Sequence, residues 1–497
     1  MVGQKEETVD MAKTNLVIIM ADQLRRDMLG KGFTPAIDSI LADGSEFHNM
    51  YTASPLCVPA RGAFFTGCCP NKNGSLINPW VKRDAHYGDV RKGVENLYTF
   101  LEKDWDVIHS GKQHVFTEGG KMEDRPDSRT KFLATEKTYK AFLEEAGVPA
   151  PGGKSYKTRV PEMVSGENTK TSLYSIPKTG IYKEDEKYFY DRYYADKALE
   201  GLKGRDKDKP LFLSAMFVAP HPPFCIPEPW FSKFTLDDIK LPENVARYYE
   251  RQSPLQMYNL PGVVGSRYTR EEWKESWRDY QGLVAMLDKC VEDIINELKA
   301  QGIYDDSIVI FTADHGEMLG SHALFQKMCM YEESTHLPMI IKFPKGSDLN
   351  GKHIDATCSN IDVMPTVLDY LGYENIPEME GISLLPLLKG EKAEERTVFM
   401  QYDGNGARSN FQRAAVRGNY KLIADQFKNE EYIELYDVKN DPEETENLAF
   451  SPEYDEIATS LYRELDEHMK KTSDLIHLFG IDLEDQRRRY EGLENRQ

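Results

Sequence analysis

The stretch NLVIIMADQ at residues 15–23 decides the class of fold. Its apolar part runs from Leu16 to Met20, which is too short to span a bilayer and has the length of a strand buried inside a sheet. The polar pair Asp22-Gln23 follows directly. In an open α/β sheet the carboxyl ends of the strands line the ligand crevice, so this pair predicts a functional site as well as a strand.

More apolar runs of the same kind follow along the chain. They extend over Asp106 to His109, Leu211 to Val218, Ser307 to Thr312 and Met339 to Phe343. Between them lie helical patterns, the clearest from Trp273 to Ala300, where apolar residues recur at three- and four-residue steps. Strands that alternate with helices predict an α/β fold with a large, mostly parallel sheet flanked by helices.

The pattern changes near residue 395, where short strand candidates and one helix candidate predict a smaller subdomain with a short antiparallel sheet. These are Thr397 to Tyr402, Gln412 to Val416, Tyr420 to Ala424 and, for the helix, Leu461 to Met469. We therefore expect an α/β domain over residues 1–394 and a C-terminal α+β subdomain over 395–497. The polar end from Glu484 to Gln497 is interpreted as a tail or an oligomer arm.

Two segments of the first domain lack clear periodicity. Residues 117–210 are rich in Lys, Glu, Gly and Tyr, and residues 224–267 are rich in Pro and aromatic side chains. We interpret both as insertions of loops and short helices over the sheet. Such insertions commonly carry substrate specificity.

Composition excludes several classes of protein. Lys and Arg total 62 against 82 Asp and Glu, and the resulting net charge of −20 argues against a nucleic-acid-binding surface. No apolar run is long enough for a membrane span, and the polar start MVGQKEETVD lacks the apolar stretch of a signal peptide. Seven cysteines without a framework spacing agree with a reducing compartment, so we expect a cytoplasmic protein.

Polar residues cluster directly after the strand candidates. In chain order these are Asp22 and Gln23, Lys112 and His114, His221, and Asp314 and His315. Each has an ordinary structural explanation when it is taken alone, such as a helix cap for Asp22 or a solvated charge for Lys112. Because strand ends meet at one edge of a sheet, their convergence is the stronger interpretation.

The strand-end residues have the chemistry of a metal site. Asp22, Gln23 and Asp314 offer hard oxygen donors that suit Ca²⁺, Mg²⁺ or Mn²⁺, whereas His315 shifts the preference toward a transition ion and leaves Zn²⁺ open. One divalent ion would neutralise a bound oxyanion. Arg61 and two lysines, Lys112 and Lys327, are candidates for the remaining positive charge.

Cys57 does not fit such a site as it stands, because a soft thiolate is a poor partner for a hard ion held by carboxylates. The other cysteines are expected to be ordinary buried residues. They are Cys68, Cys69, Cys225, Cys290, Cys329 and Cys358. Only Cys57 has basic and acidic candidates for neighbours, so something must reconcile its sulfur with the ion.

The run Cys57-Val58-Pro59-Ala60-Arg61 resembles the sulfatase signature, in which a maturing enzyme oxidises the cysteine to formylglycine. The hydrated aldehyde would supply the missing hard oxygen ligand. Other stretches resemble the family in the same chain order, although Gln113 replaces a tryptophan of the family motif. They are Asn15 to Gln23, Gly111 to His114, Pro220 to Phe224, Asp314 to Glu317 with Lys327, and Leu435 to Ala449.

The resemblance implies a mechanism. One hydroxyl of the hydrated aldehyde at position 57 would attack sulfur while the ion and Lys112 hold the sulfate oxygens. His221 and Lys327 would assist the leaving alcohol, and the second hydroxyl, deprotonated with help from His114, would expel sulfate and restore the aldehyde. Arg61 would orient the nucleophile and its metal contact.

The Asp-Gln and Asp-His pairs resemble a branch of the family that contains choline sulfatases, phosphonate monoester hydrolases and carbohydrate sulfatases. We therefore expect a sulfuric ester hydrolase that acts on a small organic sulfate or a sulfated sugar. Ca²⁺ is the expected ion, with Mn²⁺ or Mg²⁺ as alternatives. The partners implied are the substrate and a formylglycine-generating or radical maturing enzyme, with no nucleic acid, no membrane and a homo-oligomer as an open possibility.

Competing interpretations use the same residues. A phosphonate monoester or phosphodiester hydrolase would use the same nucleophile, whereas a metal-dependent phosphatase would carry Ser or Thr in place of Cys57. A non-enzymatic binding protein would retain an unmodified cysteine. Asn78 and Trp80 are candidates for facing the substrate, although a turn explains them equally well. His48, His86 and His322 are assigned structural roles.

Overall fold

The computed structural model of the chain describes residues 14–118, 120–164, 168–374, 376, 378–392 and 394–494. Residues 1–13 lie outside that part, and the prediction that the chain has no signal peptide rests on them. Residues 495–497, at the end of the predicted tail, also lie outside it. No helix within the described ranges is both long and apolar enough to cross a membrane.

The main sheet has eight strands. In chain order they are β1 (Asn15–Asp22), β2 (Ser45–Phe47), β3 (Asp106–Gly111), β4 (Lys131–Ala134), β5 (Leu211–Pro220), β6 (Ser307–Ala313), β7 (Met339–Lys342) and β8 (His353–Ile354). The spatial order is β8-β2-β7-β6-β1-β5-β3-β4. The five strands from β6 to β4 run parallel, and β7 is antiparallel to both of its neighbours. The predicted large, mostly parallel sheet is confirmed.

Helices flank this sheet and continue into the C-terminal part. The longer ones are α1 (Pro35–Asp43), α2 (Cys57–Thr66), α3 (Glu136–Ala146), α4 (Tyr190–Lys203), α5 (Arg270–Ala300), α6 (Val363–Tyr370), α7 (Asp455–Lys471) and α8 (Leu483–Glu494). Short helices are Pro70–Asn73, Leu97–Leu101, Leu260–Gly265, Glu332–Thr335 and Leu385–Leu388. A capping box at Thr269 and Glu272 starts α5, and its apolar face packs on α4 and β5.

The interpretation of residues 117–210 as loops and short helices was partly wrong. The segment contributes β4 to the main sheet and the 14-residue helix α4, which packs against β3 and β5. It also contains a two-stranded hairpin, Lys157–Val164 with Asn168–Ser175. Tyrosines form much of the buried face of α4. Their mixture with charged residues hides the helical period in the sequence.

The C-terminal sheet is antiparallel, as predicted, and has four strands in sequential order. They are β9 (Val398–Tyr402), β10 (Phe411–Arg417), β11 (Tyr420–Phe427) and β12 (Glu430–Asp437). One face joins the main hydrophobic core through Met400 and Ile423, and α7 covers the other face. The division into domains at residue 394 stays a prediction.

The polar end of the chain is not a free tail over its described part. Helix α8 buries Leu483 in the smaller core, and the Gln486 amide donates a hydrogen bond to the carbonyl of Ile433 at 2.9 Å. The interpretation of this stretch as a tail or arm was therefore wrong up to the end of α8. Its charged surface pattern had concealed the few residues that anchor it.

Candidate active site

Four neighbouring strands of the main sheet, β6, β1, β5 and β3, end at the same edge. Asp22 is the last residue of β1, and Asp314 follows β6 directly. Lys112 follows β3, and His221 follows β5. The structure therefore brings together the polar residues that the sequence placed after strands.

The backbone at these strand ends is specialised. Gly111 has φ 122°, and a Cβ there would lie 1.8 Å from the carbonyl oxygen of Met216, so no other residue fits. Gln23 and His114 also have positive φ, at 69° and 48°. Non-glycine residues with positive φ concentrate at functional sites, and here they turn two side chains off the strand direction.

Arg61 lies at the centre of the site, with no exposed surface, one turn into helix α2. Its Nη2 donates to Asp22 Oδ2 at 3.0 Å, and its Nε donates to Asp314 Oδ2 at 2.9 Å. It also donates to the backbone carbonyl of Lys112. Arg61 thus fixes two buried carboxylates through one oxygen each. The other oxygen of Asp314, Oδ1, accepts from the backbone N–H groups of Gln23 at 3.1 Å and His315 at 2.9 Å.

Four potential ligand atoms surround one point next to Arg61. They belong to Asp22, Cys57, Asp314 and His315, and all lie within 4.8 Å of one another. His315 Nε2 is 3.2 Å from Cys57 Sγ, 3.6 Å from Asp314 Oδ1 and 4.0 Å from Asp22 Oδ1. Such spacing suits ligands that share one ion at bond lengths of about 2.0–2.6 Å.

The tautomer of His315 agrees with a role as a ligand. Its Nδ1–H donates to the carbonyl oxygen of Gly316 at 3.0 Å. That bond leaves the lone pair of Nε2 directed toward the four-atom group, which is the usual arrangement of a metal-bound histidine. The donor set of two carboxylates and one imidazole fits a divalent ion.

Cys57 is the first residue of α2 and is 3% exposed. Its Sγ lies 3.8 Å from Asp22 Oδ1 and 3.9 Å from the ammonium nitrogen of Lys112. Burial raises the pKa of the thiol, but Lys112 and other positive groups outweigh burial and hold the pKa well below its ordinary value. The site therefore favours a negative charge at position 57.

Lys112 and Lys327 supply positive charge on two sides. Lys112 Nζ donates to Asp22 Oδ2 at 2.6 Å. Burial lowers the pKa of Lys112, yet the Asp22 carboxylate more than compensates and raises it above the ordinary value. Lys327 Nζ donates to the amide oxygen of Gln23, whose nitrogen donates to Glu317. Gln23 is thus held beside the site, and its metal contact stays a prediction.

His221 is placed at the rim. Its Nδ1 contacts the carbonyl oxygen of Pro222 at 2.6 Å. Burial, followed by the positive charges of Lys327 and Lys112, lowers the pKa of His221 well below its ordinary value. The imidazole is therefore neutral until a negative charge enters the site.

Asn78 lies beside the nucleophile helix. Its Oδ1 accepts from the backbone N–H of Val58 at 3.2 Å, and its Nδ2 donates to Asn405 Oδ1 at 3.1 Å. The first bond satisfies one of the free amides at the start of α2. Asn78 therefore positions the turn that carries Cys57, and its contact with substrate stays a prediction.

Sequence reasoning missed Glu136, the first residue of α3. Its Oε2 lies 3.4 Å from His114 Nε2 and 2.8 Å from Lys121 Nζ. Burial raises the pKa of Glu136, but His114 and Lys121 outweigh this and hold it far below its ordinary value. No motif in the sequence marks this residue, because it belongs to the segment without periodicity.

Trp80 covers the other side of His114. The two ring centroids are 5.5 Å apart, and 53% of the tryptophan surface is exposed.

The six remaining cysteines are all buried free thiols, as predicted. A cavity of about 750 Å³ lies elsewhere, where the loops after the main sheet meet the C-terminal part of the chain, and Glu332, Glu333 and Glu443 are among its lining residues.

The chain matches two family models. Residues 14–373 match the model described as Sulfatase, and residues 320–471 match the model described as N-sulphoglucosamine sulphohydrolase, C-terminal. The first match contains Asp22, Cys57, Arg61 and Asp314 with their neighbours. The second match covers the last strands of the main sheet and the whole C-terminal sheet.

Proteins similar to the chain over most of its length bear out these matches. The multifunctional alkaline phosphatase superfamily protein PehA of Trinickia caryophylli is 28% identical, over 89% of this chain and 93% of that protein. N-acetylglucosamine-6-O-sulfatase of Bacteroides thetaiotaomicron is 24% identical, over 95% and 88%. The solved phosphonate monoester hydrolase of Silicibacter pomeroyi superposes with a TM-score of 0.74 at 21% identity, over 93% and 96%, and shares the fold.

Proposed function

This chain belongs to the sulfatase family and is a sulfuric ester hydrolase, and we propose that it releases sulfate from a sulfated carbohydrate with a formylglycine formed at Cys57 and one divalent metal ion. The family predicted from Cys57, Pro59 and Arg61 is confirmed. One observation carries the rest of the proposal. The ligand atoms of Asp22, Asp314 and His315 surround the side chain of Cys57.

The metal would be held by Asp22 Oδ1, Asp314 Oδ1 and His315 Nε2, with Gln23 as an additional ligand. Ca²⁺ suits the carboxylates, and the imidazole leaves Mn²⁺ and Mg²⁺ as alternatives. When bound, the ion would supply positive charge to the sulfate oxygens and to the oxygen at position 57. Arg61 would keep both carboxylates in place, because it binds the oxygen of each that faces away from the ion.

Formylglycine at position 57 would resolve the conflict between a soft sulfur and hard ligands. The hydrated aldehyde supplies an oxygen nucleophile at the place that Cys57 Sγ occupies, 3.2 Å from His315 Nε2. Lys112, 3.9 Å away, would favour the deprotonated form of that oxygen. A formylglycine-generating or radical maturing enzyme would carry out the oxidation.

Lys112 and Lys327 would bind the sulfate oxygens from opposite sides of position 57. His221 is neutral in the absence of substrate, since burial and these two lysines lower its pKa. An anionic ester would offset the lysine charges and favour the imidazolium. Together with Lys327, His221 would then donate a proton to the leaving alcohol.

His114 would accept the proton whose removal expels sulfate, and Glu136 would set its tautomer. Glu136 lies next to Nε2, which places the imidazole proton on that nitrogen. His114 Nδ1 is buried and has no hydrogen-bond partner among the described residues. It is therefore the nitrogen available as a base, and Glu136 is a positioning residue for it.

Two observations favour a sugar as the alcohol part of the substrate. Trp80 exposes 53% of its surface directly beside His114 and offers an aromatic face for a pyranose ring. The relative from Bacteroides thetaiotaomicron is named for its action on a sulfated amino sugar, and the C-terminal family model is named for a similar activity.

A phosphonate monoester or phosphodiester hydrolase is the second candidate. Its nucleophile, ion and lysines would be the same, because a site built for a tetrahedral oxyanion accepts both sulfur and phosphorus centres. The similarity to PehA, which is named a multifunctional member of the alkaline phosphatase superfamily, supports activity on both sulfur and phosphorus esters.

The test compares matched esters on protein in which peptide mass spectrometry has confirmed formylglycine at position 57. We expect sulfate release from sulfated monosaccharides, loss of that activity in Cys57→Ala, and retention of it in the control Cys225→Ala, which removes another buried thiol. Trp80→Ala should raise KM for the sugar about tenfold and leave a small aryl sulfate unaffected. Greater efficiency on phosphonate esters by orders of magnitude would favour the second candidate.

A further inference from the structure

A second buried group of potential metal ligands lies where the loop after β6 meets the C-terminal sheet. It contains His322, Glu333 and Glu444, whose ligand atoms are within 4.8 Å of one another. We call these residues, with Glu332 and Lys421, the junction cluster. His322 is completely buried, and Glu444 is 1% exposed. The catalytic residues described above take no part in it.

Each of the three side chains is held by a hydrogen bond to a group outside the set of three ligands. His322 Nε2 donates to the carbonyl oxygen of Glu443 at 2.9 Å. Glu333 Oε1 accepts from the amide of Asn244 at 2.6 Å, and Glu444 Oε2 accepts from the backbone N–H of Glu332 at 2.6 Å. Outer hydrogen bonds of this kind orient metal ligands, and the bond to a carbonyl leaves His322 Nδ1 unprotonated.

Two polar atoms of the three potential ligand residues lack hydrogen-bond partners among the described residues. His322 Nδ1 and Glu333 Oε2 are buried, and neither has a hydrogen-bond partner within the described part of the chain. A buried lone pair without a partner destabilises the folded state, and a buried carboxylate oxygen without one does so more strongly. Because each of the three residues brings a ligand atom within 4.8 Å of the others, two atoms without partners indicate a ligand there.

The charges of the junction cluster point to a cation. The junction cluster contains three carboxylates and one ammonium group, and His336 Nδ1 also lies 2.8 Å from Glu332 Oε2. Lys421 Nζ lies 2.7 Å from Glu332 Oε1 and 2.7 Å from Glu444 Oε1. It therefore neutralises only part of the negative charge. A lysine this close to a ligand carboxylate has a parallel at the catalytic site, where Lys112 lies 2.6 Å from Asp22.

We propose that His322, Glu333 and Glu444 hold a second divalent ion, of the transition-metal class because one ligand is an imidazole. The ion would contact His322 Nδ1, Glu333 Oε2 and a carboxylate oxygen of Glu444. It joins the loop after β6, the helix Glu332–Thr335 and the turn after β12. Its role is structural, and the cavity bordered by Glu333 and Glu443 gives it a path from solvent.

Metal content of the full chain tests this directly. Zn²⁺ per chain is measured by mass spectrometry after dialysis against metal-free buffer and a single addition of Zn²⁺. Wild type should bind two ions, and His322→Gln should bind one. Asp22→Asn/Asp314→Asn, which removes the catalytic ligands, should also bind one. The control is His468→Gln, because His468 stacks on Phe399 at 4.0 Å as His322 stacks on Tyr331 at 4.0 Å, and it should bind two.

The outcomes separate this site from the proposed catalytic ion. If His322→Gln binds as many ions as wild type, the second site does not exist. If Asp22→Asn/Asp314→Asn binds none, the only ion is catalytic and the inference is overturned. Should His322→Gln fail to fold, Glu333→Gln takes its place, and diffraction at the zinc edge from wild-type crystals must show an anomalous peak between His322 and Glu333. A water molecule without that peak would overturn the inference.

Discussion

The catalytic site at the strand ends and the junction cluster are two buried charged regions of the molecule. They contain similar residues but have different roles. At the strand ends, the carboxylates of Asp22 and Asp314 are paired directly with Arg61 and Lys112. In the junction cluster the one lysine, Lys421, pairs with two of the three carboxylates, those of Glu332 and Glu444. Most of the charged side chains in both regions are buried, and disturbing their charge compensation is unfavourable.

The difference lies in what the charges surround. The strand-end group surrounds the side chain of Cys57 and is bordered by His221 and by the exposed Trp80, so a substrate can reach it. The junction group joins loops that are distant in sequence and has no nucleophile. A buried group of charged residues can therefore belong either to a catalytic site or to a structural contact between segments. A reactive group that solvent can reach distinguishes the catalytic site.

The largest expected effect comes from removing the central cation of each region. Arg61→Met removes the guanidinium that pairs with both Asp22 and Asp314, and Lys421→Met removes the ammonium that pairs with both Glu332 and Glu444. Each change should lower the free energy of unfolding by about 3–5 kcal/mol. Only Arg61→Met should also abolish sulfate release, by at least about 100-fold, because the metal ligands lose their orientation.

Urea unfolding and kcat per folded molecule measure the two effects separately. Glu332→Gln provides a milder disturbance of the junction if Lys421→Met does not fold, and it should also leave kcat unchanged. Loss of activity in both junction variants would show that the two regions are coupled, and the distinction drawn between them would then be wrong.

A smaller loss of activity is expected from substitution of Glu136, whose side chain is 42% exposed. Because it is partly solvated, Glu136→Gln should leave stability nearly unchanged, unlike the changes at Arg61 and Lys421. It should lower kcat by roughly 100-fold with little effect on KM, since His114 loses the carboxylate that fixes its tautomer.

The pH profile of kcat provides the decisive measurement for Glu136. Without the carboxylate the proton on His114 Nε2 is no longer held in place, so the pH dependence of kcat should differ from that of wild type. Glu136→Asp should restore part of the rate. Lys121→Met, which removes the other partner of Glu136, serves as the control and should have a small effect. An unchanged pH profile in Glu136→Gln would refute the positioning role.

The two regions also differ in how far the sequence reveals them. Asp22, Lys112, His221 and Asp314 each lie at the end of an apolar strand, so one rule about sheet edges predicts from the sequence that they converge. Glu136 starts a helix in a segment without periodicity, and only the fold places it next to His114. Sequence reasoning identified the strand ends because local pattern determines them.

The junction cluster depends on contacts between segments that have no common pattern. His322 was assigned a structural role, and nothing in the sequence connects it with Glu444, which lies in the turn after β12. Helix α4 was missed for a related reason. Its buried face includes Asp191 and several tyrosines, so hydrophobic periodicity does not mark it.

A further prediction concerns the C-terminal sheet and depends on pH alone. Asp425 on β11 is 1% exposed, and its Oδ2 accepts from the hydroxyl of Ser253 at 2.8 Å. Burial raises the pKa of Asp425 to about 8. Between the unfolded value of about 3.9 and this value the folded state binds an extra proton, so stability falls as the pH rises from about 4 to about 8.

Asp425→Asn removes this titration, because an amide cannot ionise, and its oxygen can still accept from Ser253. The melting temperature of the variant relative to wild type should therefore rise between pH 5 and pH 8, by a few degrees at most. Asp348→Asn, a change at an exposed carboxylate, should show no such trend. Parallel curves for wild type and Asp425→Asn would mean that Asp425 ionises as freely in the fold as outside it. Catalytic activity should be unaffected throughout, which is the behaviour that separates the assembly side of the molecule from the strand ends.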